Sequence, residues 1–136
     1  MQTVVTKEFP AMDGAYAEVT AWVEAQLDVL ACSTKTAMQI VMCLEEIFVN
    51  IAHYAYEDSQ GTFLLKMWTD EDKIILEFRD HGVAFDPLAK PDPDVTLGIA
   101  ERKVGGLGIY FVKKMMDEVR YARVDGENIL TLVKKL

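Results

Sequence analysis

Hydrophobic and polar residues recur with two different periods along the chain, and these periods define its elements. The β-branched segment at residues 3–9 is typical of a strand. Apolar steps of three and four residues then predict two helices, over residues 13–30 and 33–56, with Asp13 and Ser33 as their expected N-caps. In the first helix the residues expected to be available for burial are Ala17, Thr20, Ala21, Trp22, Leu27 and Leu30. In the second the expected core stripe is Ala37, Ile40, Val41, Leu44, Phe48, Ile51 and Ala55.

The second half of the chain predicts two hairpins separated by a long loop and a helix. Residues 63–68 and 73–79 form the first hairpin, and residues 81–105 have no convincing period. A helix to about residue 117 follows, and then a hairpin that turns at Asp125-Gly126. The order strand, helix, helix, strand, strand, loop, helix, strand, strand lacks the strict alternation of a parallel sheet. We therefore predict an α+β fold, a two-layer sandwich with helices on one face of a mostly antiparallel sheet.

The composition of the chain excludes several classes of protein. The 136 residues suit a single domain spanning 1–136, and 51% hydrophobic with 26% charged residues indicates a globular chain. A formal net charge of -8 argues against direct nucleic-acid binding. Charges interrupt every apolar run before the length of a membrane span, and the first residues do not resemble a signal peptide, so we expect a cytoplasmic protein without membrane association. Cys32 and Cys43 lack metal-ligand spacing and are expected to be reduced, half-buried thiols.

Three polar residues share one narrow face of the second predicted helix. Glu46, Asn50 and His53 are spaced four and three residues apart, opposite the apolar stripe. A solvated surface would explain them, but Met42 and Val49 flank the same face and favour a covered one. A half-buried carboxylate needs a partner, which a ligand or metal could provide. Asn50 offers an oxygen of the type Mg²⁺ accepts, and Glu46 could take a proton from a hydroxyl or water.

A second polar segment ends the predicted strand 73–79. Asp80-His81-Gly82, followed by Phe85-Asp86-Pro87, is consistent with turn chemistry alone. A carboxylate at a strand end can also accept a hydrogen bond from an exocyclic amine such as that of adenine. Gly82 would let a flat ring approach the backbone.

A third segment has the character of a phosphate site. The run Gly105-Gly106-Leu107-Gly108 precedes a helix, whose first N–H groups favour an anion. It lacks the Gly-Lys-Ser/Thr ending of a Walker loop and does not fit a dinucleotide-binding fingerprint. Arg102 and Lys103 could reach a terminal phosphate, although solvated loop charges would explain each of them.

Together these segments resemble the nucleotide-binding motifs of the GHKL (Bergerat) ATPase superfamily. The similarity is strongest to stand-alone anti-sigma-factor serine/threonine kinases of the RsbW/SpoIIAB type and covers nearly the whole chain. Residues 46–50 are similar to the N box, residues 80–87 to the first glycine box, and residues 105–109 to the second. Sensor histidine kinases share the fold but need a further helical domain.

The resemblance implies specific roles for residues of the three motifs. Glu46 would be the general base, Asn50 the Mg²⁺ ligand and Asp80 the reader of adenine. Gly82 would close on the base, with Phe85 beside it. Residues 86–104 would form a lid over ATP that carries Arg102 and Lys103. Phosphates would be held by Gly105, Gly106, Leu107 and Gly108.

The resemblance also implies an activity and partners. The expected reaction is Mg²⁺-dependent transfer of the ATP γ-phosphate to a Ser or Thr of an anti-anti-sigma (STAS-domain) protein, alternating with binding of a sigma factor, in a homodimer. A nucleotide-gated binding module with vestigial phosphoryl transfer is the alternative, and an interaction domain without a ligand is a third.

Three features depart from the family pattern or stay unassigned by it. His53 is displaced by one residue from the expected site and is interpreted as structural. The acidic Glu18 stands in a first helix that tends to be more basic in partner-binding relatives. The residue that pairs with Asp80 stays open, because Asn128 and Thr131 fall on opposite faces of the last strand.

Overall fold

The computed structural model describes residues 4–56, 61–89 and 107–136, and within them the predicted order of elements is confirmed. The helices and strands of the described chain are β1 (Val5–Pro10), α1 (Tyr16–Val29), α2 (Thr34–Asn50), β2 (Thr62–Asp70), β3 (Lys73–Asp80), α3 (Leu107–Met115), β4 (Glu118–Val124) and β5 (Glu127–Lys135). None of the helices in the described ranges combines the length and the apolar composition needed to cross a membrane.

The strands form one antiparallel sheet in the order β1-β2-β3-β5-β4. Alternate residues of each strand face the helices, because side chains of a strand point to opposite faces in turn. The fully buried aromatic rings of Phe9, Phe48, Phe63 and Phe78 join the sheet to α2 in one hydrophobic core. The predicted two-layer α+β sandwich is therefore confirmed.

The second helix follows its sequence pattern closely. Ser33 caps it, with Oγ accepting a hydrogen bond of 3.1 Å from the backbone N–H of Thr36. Most of the predicted core stripe is confirmed, because these residues of α2 and the turn after it are buried: Ile40, Leu44, Phe48, Ile51 and Ala55. Ala37 and Val41, which were also predicted to belong to it, are only half-buried. The helix is thereby fixed in rotation about its axis, which decides where its polar face points.

The first helix differs from its prediction at its start and in its buried face. Asp13 opens a short 3₁₀ turn and makes no capping bond, and α1 begins at Tyr16. The buried residues of α1 are Val19, Val23 and Leu27, at steps of four, whereas Ala17 and Ala21 are exposed. The prediction weighted small residues too heavily, because two β-branched valines provide more apolar area for burial.

Both hairpins turn where the sequence places them. Glu71 adopts a φ of 56° in the first turn, and Asp125 and Gly126 have φ values of 50° and 81° in the second. Two successive positive φ angles are the requirement of the tight turns that match strand twist, which explains the Asp-Gly pair.

The two cysteines are free thiols in different surroundings. Cys32 is half-buried and its Sγ donates to the carbonyl oxygen of Leu27, while Cys43 is completely buried. Burial raises the pKa of Cys43 to about 11, with Glu46 adding a smaller increase that Lys134 opposes. The prediction of reduced thiols agrees with this, although Cys43 is more deeply buried than expected.

We predict that Ser33→Ala lowers the free energy of unfolding by about 1 kcal/mol, since it removes the side-chain acceptor at the start of α2. Urea denaturation followed by circular dichroism measures the change. Ser33→Asp keeps an acceptor at the same position and should retain the stability. An equal loss in both variants would contradict the capping role.

Candidate functional site

The polar face of α2 separates into two half-buried residues and one exposed one. Glu46 and Asn50 are half-buried. His53 is exposed, and its Nε2 lies 2.8 Å from Oδ1 of Asp13, which fits the structural role expected for it. Met42 and Val49 are also exposed, so the sequence argument for a face covered on both sides is wrong. Of this face, only Glu46 and Asn50, which lie one turn apart, face other parts of the protein.

A five-residue π-helical turn, Ile51–Ala55, continues α2 and brings it against the end of β3. The carbonyl oxygen of Ala55 accepts a hydrogen bond of 2.9 Å from the backbone N–H of Val83. A Cβ atom on Gly82 would lie 2.1 Å from that carbonyl oxygen, so only glycine fits. The contact with Ala55 accounts for the glycine at this position. The role of Gly82 against a nucleotide base stays a prediction.

Asp80 is a buried carboxylate held by two hydrogen bonds. Asp80 is only 6% exposed. Its Oδ1 accepts two hydrogen bonds of 2.9 Å, one from the backbone N–H of Gly82 and one from Nδ2 of Asn128. The bond to Gly82 is the local turn contact that the sequence allowed. The bond to Asn128 crosses from β3 to β5, where the two residues are direct partners in the sheet.

Asn128 is itself 6% exposed and uses every hydrogen-bonding position of its amide. Besides Asp80, its Nδ2 donates to the carbonyl oxygen of Val83 at 2.8 Å. Its Oδ1 accepts from the hydroxyl of Tyr121 and, at 3.3 Å, from the backbone N–H of Phe85. One side chain thus fixes β3, β4 and the segment that follows β3. The open question of which residue pairs with Asp80 is answered in favour of Asn128.

Arg123 adds a charged contact to the same segment. Its guanidinium donates from Nη1 to the carbonyl oxygen of Gly82 at 2.8 Å. The backbone of residues 82–85 is therefore held together from the π-helical turn after α2, from β4 and from β5. Because this segment is already fixed by three elements, ligand binding beside it does not have to pay the entropy of ordering it.

A cavity opens between the C-terminal end of α2 and the sheet. Three residues proposed from the sequence, Asn50, Asp80 and Phe85, line it together. Phe85 also stacks on Tyr54, with ring centroids 6.2 Å apart. The other described lining residues are mostly apolar: Ile47, Ile51, Ala55, Phe78, Pro87, Tyr121, Asn128 and Leu130. An apolar pocket with a few convergent polar groups is the usual form of a small-molecule site.

The start of α3 lies against Glu46, the other half-buried polar residue of α2. A Cβ atom on Gly108 would lie 2.4 Å from Oε2 of Glu46, so the glycine lets the helix backbone approach the carboxylate. Leu107 is the first residue of α3. Residues 90–106 lie outside the described residues, and with them the proposed Arg102, Lys103, Gly105 and Gly106 and most of the predicted lid. The described part of the third motif therefore meets the first one at Glu46.

The donor set around Asn50 suits a magnesium ion that is bound mainly through phosphates. No group of three or more His, Cys, Asp and Glu side chains gathers within residues 4–56, 61–89 and 107–136. Mg²⁺ commonly uses only one or two protein oxygens and completes its shell with substrate phosphates and water. Asn50 lines the cavity one turn from Glu46, and a side chain with an amide oxygen fits that mode of binding.

Comparison with known proteins gives similarities to one family. Residues 9–134 match the family of histidine kinase-like ATPase domains. The serine/threonine-protein kinase BtrW of Bordetella bronchiseptica is 26% identical over 101 residues, which cover 74% of this chain and 71% of BtrW. The serine-protein kinase RsbW of Bacillus cereus is 26% identical over 93 residues, 65% of this chain and only 58% of that kinase.

A solved structure shows the same fold. The crystal structure of the RsbU and RsbW domains of Rv1364c from Mycobacterium tuberculosis superposes with a TM-score of 0.71 at 16% sequence identity. The match covers 98% of this chain and 32% of that one. The resemblance to RsbW-type members of the GHKL superfamily, inferred from three motifs, is confirmed.

Sequence reasoning named Asn128 only as one of two possible partners of Asp80 and did not recognise its central place in the site, although a signal was present. In β5 the residues that face the core include Leu130 and Leu132, and Asn128 occupies the same face. A polar residue in an otherwise apolar core row needs a buried partner. Pairing β5 with β3 in register would have placed Asp80 opposite it.

We predict that Asn128→Ala lowers the free energy of unfolding by about 3 kcal/mol, because it leaves several buried polar groups with fewer partners. Thr131→Ala on the opposite face of the same strand is the matched control and should cost less than about 1 kcal/mol. Chemical denaturation of both variants measures the difference. If both variants lose the same free energy of unfolding, the hydrogen-bond network around Asp80 does not stabilise the fold as predicted.

Proposed function

Because the chain belongs to the family of histidine kinase-like ATPase domains, we propose that it binds Mg²⁺-ATP and acts as a protein serine/threonine kinase and anti-sigma regulatory factor. Family membership implies ATP binding. The observation that carries the proposal is the shared cavity of Asn50 and Asp80, with Glu46 one turn before Asn50 on α2 and in contact with the start of α3.

The adenine end of the site is proposed to lie at Asp80. Its carboxylate lines the cavity, and the two named hydrogen bonds that hold it both end on Oδ1. In this proposal the carboxylate accepts a hydrogen bond from the exocyclic amine of adenine. The apolar walls around Ile51 and Phe78 suit a flat aromatic ring, and Phe85 closes one side.

The phosphate end is proposed to lie toward α3. The first turn of a helix offers free backbone N–H groups that favour an anion, and Gly105, Gly106, Leu107 and Gly108 would provide the close approach. We further propose that Arg102 and Lys103 neutralise the terminal phosphate. With a net charge of -8, the chain needs such local cations to hold a polyphosphate.

Glu46 and Asn50 are proposed to perform the chemical step. The carboxylate of Glu46 would take the proton from a substrate Ser or Thr hydroxyl while that oxygen attacks the γ-phosphorus and the bond from the γ-phosphorus to the bridging oxygen breaks, releasing ADP. Mg²⁺ on Asn50 would neutralise charge on the phosphates. Their spacing along α2 supports this division, since one helical turn separates the base from the metal ligand.

The protein partners are part of the proposal. Relatives in two genera carry the names serine/threonine-protein kinase BtrW and serine-protein kinase RsbW. We propose an anti-anti-sigma (STAS-domain) protein as the phosphate acceptor, a sigma factor as the alternating partner, a homodimer as the working form and the cytoplasm as the location.

We expect Asp80→Asn to weaken Mg²⁺-ATP binding by about tenfold or more, since it removes a charged hydrogen-bond acceptor for adenine. Isothermal titration calorimetry measures the dissociation constant, with circular dichroism to verify the fold. Asp70→Asn, an exposed carboxylate at the end of β2, is the control and should bind normally. Unchanged affinity in Asp80→Asn would remove the adenine assignment, and no binding by the wild type would remove the whole proposal.

We expect Glu46→Gln to reduce phosphoryl transfer by about 100-fold or more while ATP binding persists, as for loss of a general base. Labelled ATP is incubated with the chain and a cognate STAS-domain protein, and phosphoserine or phosphothreonine is quantified. Glu45→Gln, the exposed neighbour, serves as the control and should keep full activity. ATP binding without any transfer by the wild type would instead favour the nucleotide-gated binding module.

A further inference from the structure

A groove runs between α1 and α2 at the end of α2 opposite the nucleotide cavity. Its α2 wall comes from residues 34–42, whereas the cavity uses residues 47–51 of the same helix and the turn after it. The described lining residues of the two sites do not overlap. The groove is therefore a separate surface that the proposed kinase reaction does not use.

The α2 wall of the groove is an apolar row without a cover in the described part of the chain. Ala37, Met38, Val41 and Met42 line it at helical spacing, and Met38 and Met42 are 59% and 42% exposed. Leu27 of α1 forms part of the opposite wall. A row at steps of three and four residues matches the apolar face of another helix, and methionine adapts its shape to such a partner.

The α1 wall of the groove is acidic. Glu24 and Asp28 lie one turn apart on it, and neither forms an ion pair with a Lys or Arg among the described residues. Helix α1 carries Glu18, Glu24 and Asp28 and not one Lys or Arg between Tyr16 and Val29. The groove thus combines an apolar wall with a negative rim.

This charge excludes several occupants. A second copy packed groove against groove would add the same two carboxylates and no Lys or Arg to pair with them, and unbalanced like charges in an interface are unfavourable. Nucleic acids and anionic membranes carry the same sign as the rim. A helix with an apolar face flanked by Lys or Arg satisfies both walls at once.

We propose that the groove between α1 and α2 binds a basic amphipathic helix of another protein, with the apolar face of that helix on Met38 and Met42 and its cations beside Glu24 and Asp28. This goes beyond the kinase proposal, because the surface is complete without nucleotide.

The direct test uses methyl NMR of the full chain with labelled methionine. The probe is a synthetic peptide of about 18 residues made of leucine and lysine, with leucine at helical steps, and its matched peptide has glutamate in place of lysine. We expect the lysine peptide to shift the methyl signals of Met38 and Met42. The signal of Met12, which is 50% exposed at a distant turn, should stay in place.

Variants separate specific docking from general attraction to an acidic chain. Met38→Gln with Met42→Gln should weaken peptide binding by about tenfold or more, while Met12→Gln should not weaken it. Glu24→Gln with Asp28→Asn should weaken binding and reduce its salt dependence. Glu8→Gln with Asp70→Asn removes the same charge elsewhere and should have little effect.

Four results would overturn the proposal. These are no binding of the lysine peptide, equal binding of the glutamate peptide, equal losses in the groove and control variants, or a dimer at rising concentration that the double methionine substitution abolishes. The last result would assign the groove to a second copy. If the wild-type chain does not bind ATP, the kinase proposal fails, but the peptide-binding result still tests the groove independently.

Discussion

The buried pair of Asp80 and Asn128 is the interaction on which the site depends. A carboxylate away from water is costly unless it is hydrogen-bonded, and here the end of β3 provides the carboxylate while β5 provides the amide. Because Asn128 also binds Val83 and Phe85, the same side chain shapes the segment that follows β3. The sheet itself therefore fixes the polar end of the cavity.

Helix α2 connects this polar end to the rest of the molecule. Its capped N-terminal half carries the exposed methionine row, its buried stripe fills the core, and its C-terminal half carries Glu46 and Asn50. The π-helical turn after α2 contacts the segment that follows β3, through the hydrogen bond between Ala55 and Val83. A shift of α2 would therefore displace Val83. An inserted π turn at such a point is a frequent feature of functional sites. Two surfaces with different chemistry are thus built on one rigid element.

The sequence predicts the fold well because local signals and packing agree. Ser33 caps α2, Asp125-Gly126 forms a tight turn, and the apolar stripe of α2 is buried as its spacing indicates. The predicted start of α1 and part of its predicted buried face were wrong, because the small residues Ala17 and Ala21 gave no clear phase and the larger Val19 and Val23 are buried instead. Asp80 was found because it stood at the end of a predicted strand, and Asn50 because it shared one helix face with Glu46 and His53. The sequence did not decide between Asn128 and Thr131, because the role of Asn128 arises only from the pairing of strands distant in sequence.

The central claim is that the polar face of α2, the carboxylate ending β3 and the start of α3 contact one nucleotide. A crystal structure of the chain with Mg²⁺ and a non-hydrolysable ATP analogue tests it most directly. The account predicts the adenine amine within about 3 Å of the Asp80 carboxylate, the metal on Asn50, and the phosphates between Glu46 and the first turn of α3. A nucleotide bound outside this cavity, or one that contacts only one of the three elements, would contradict it.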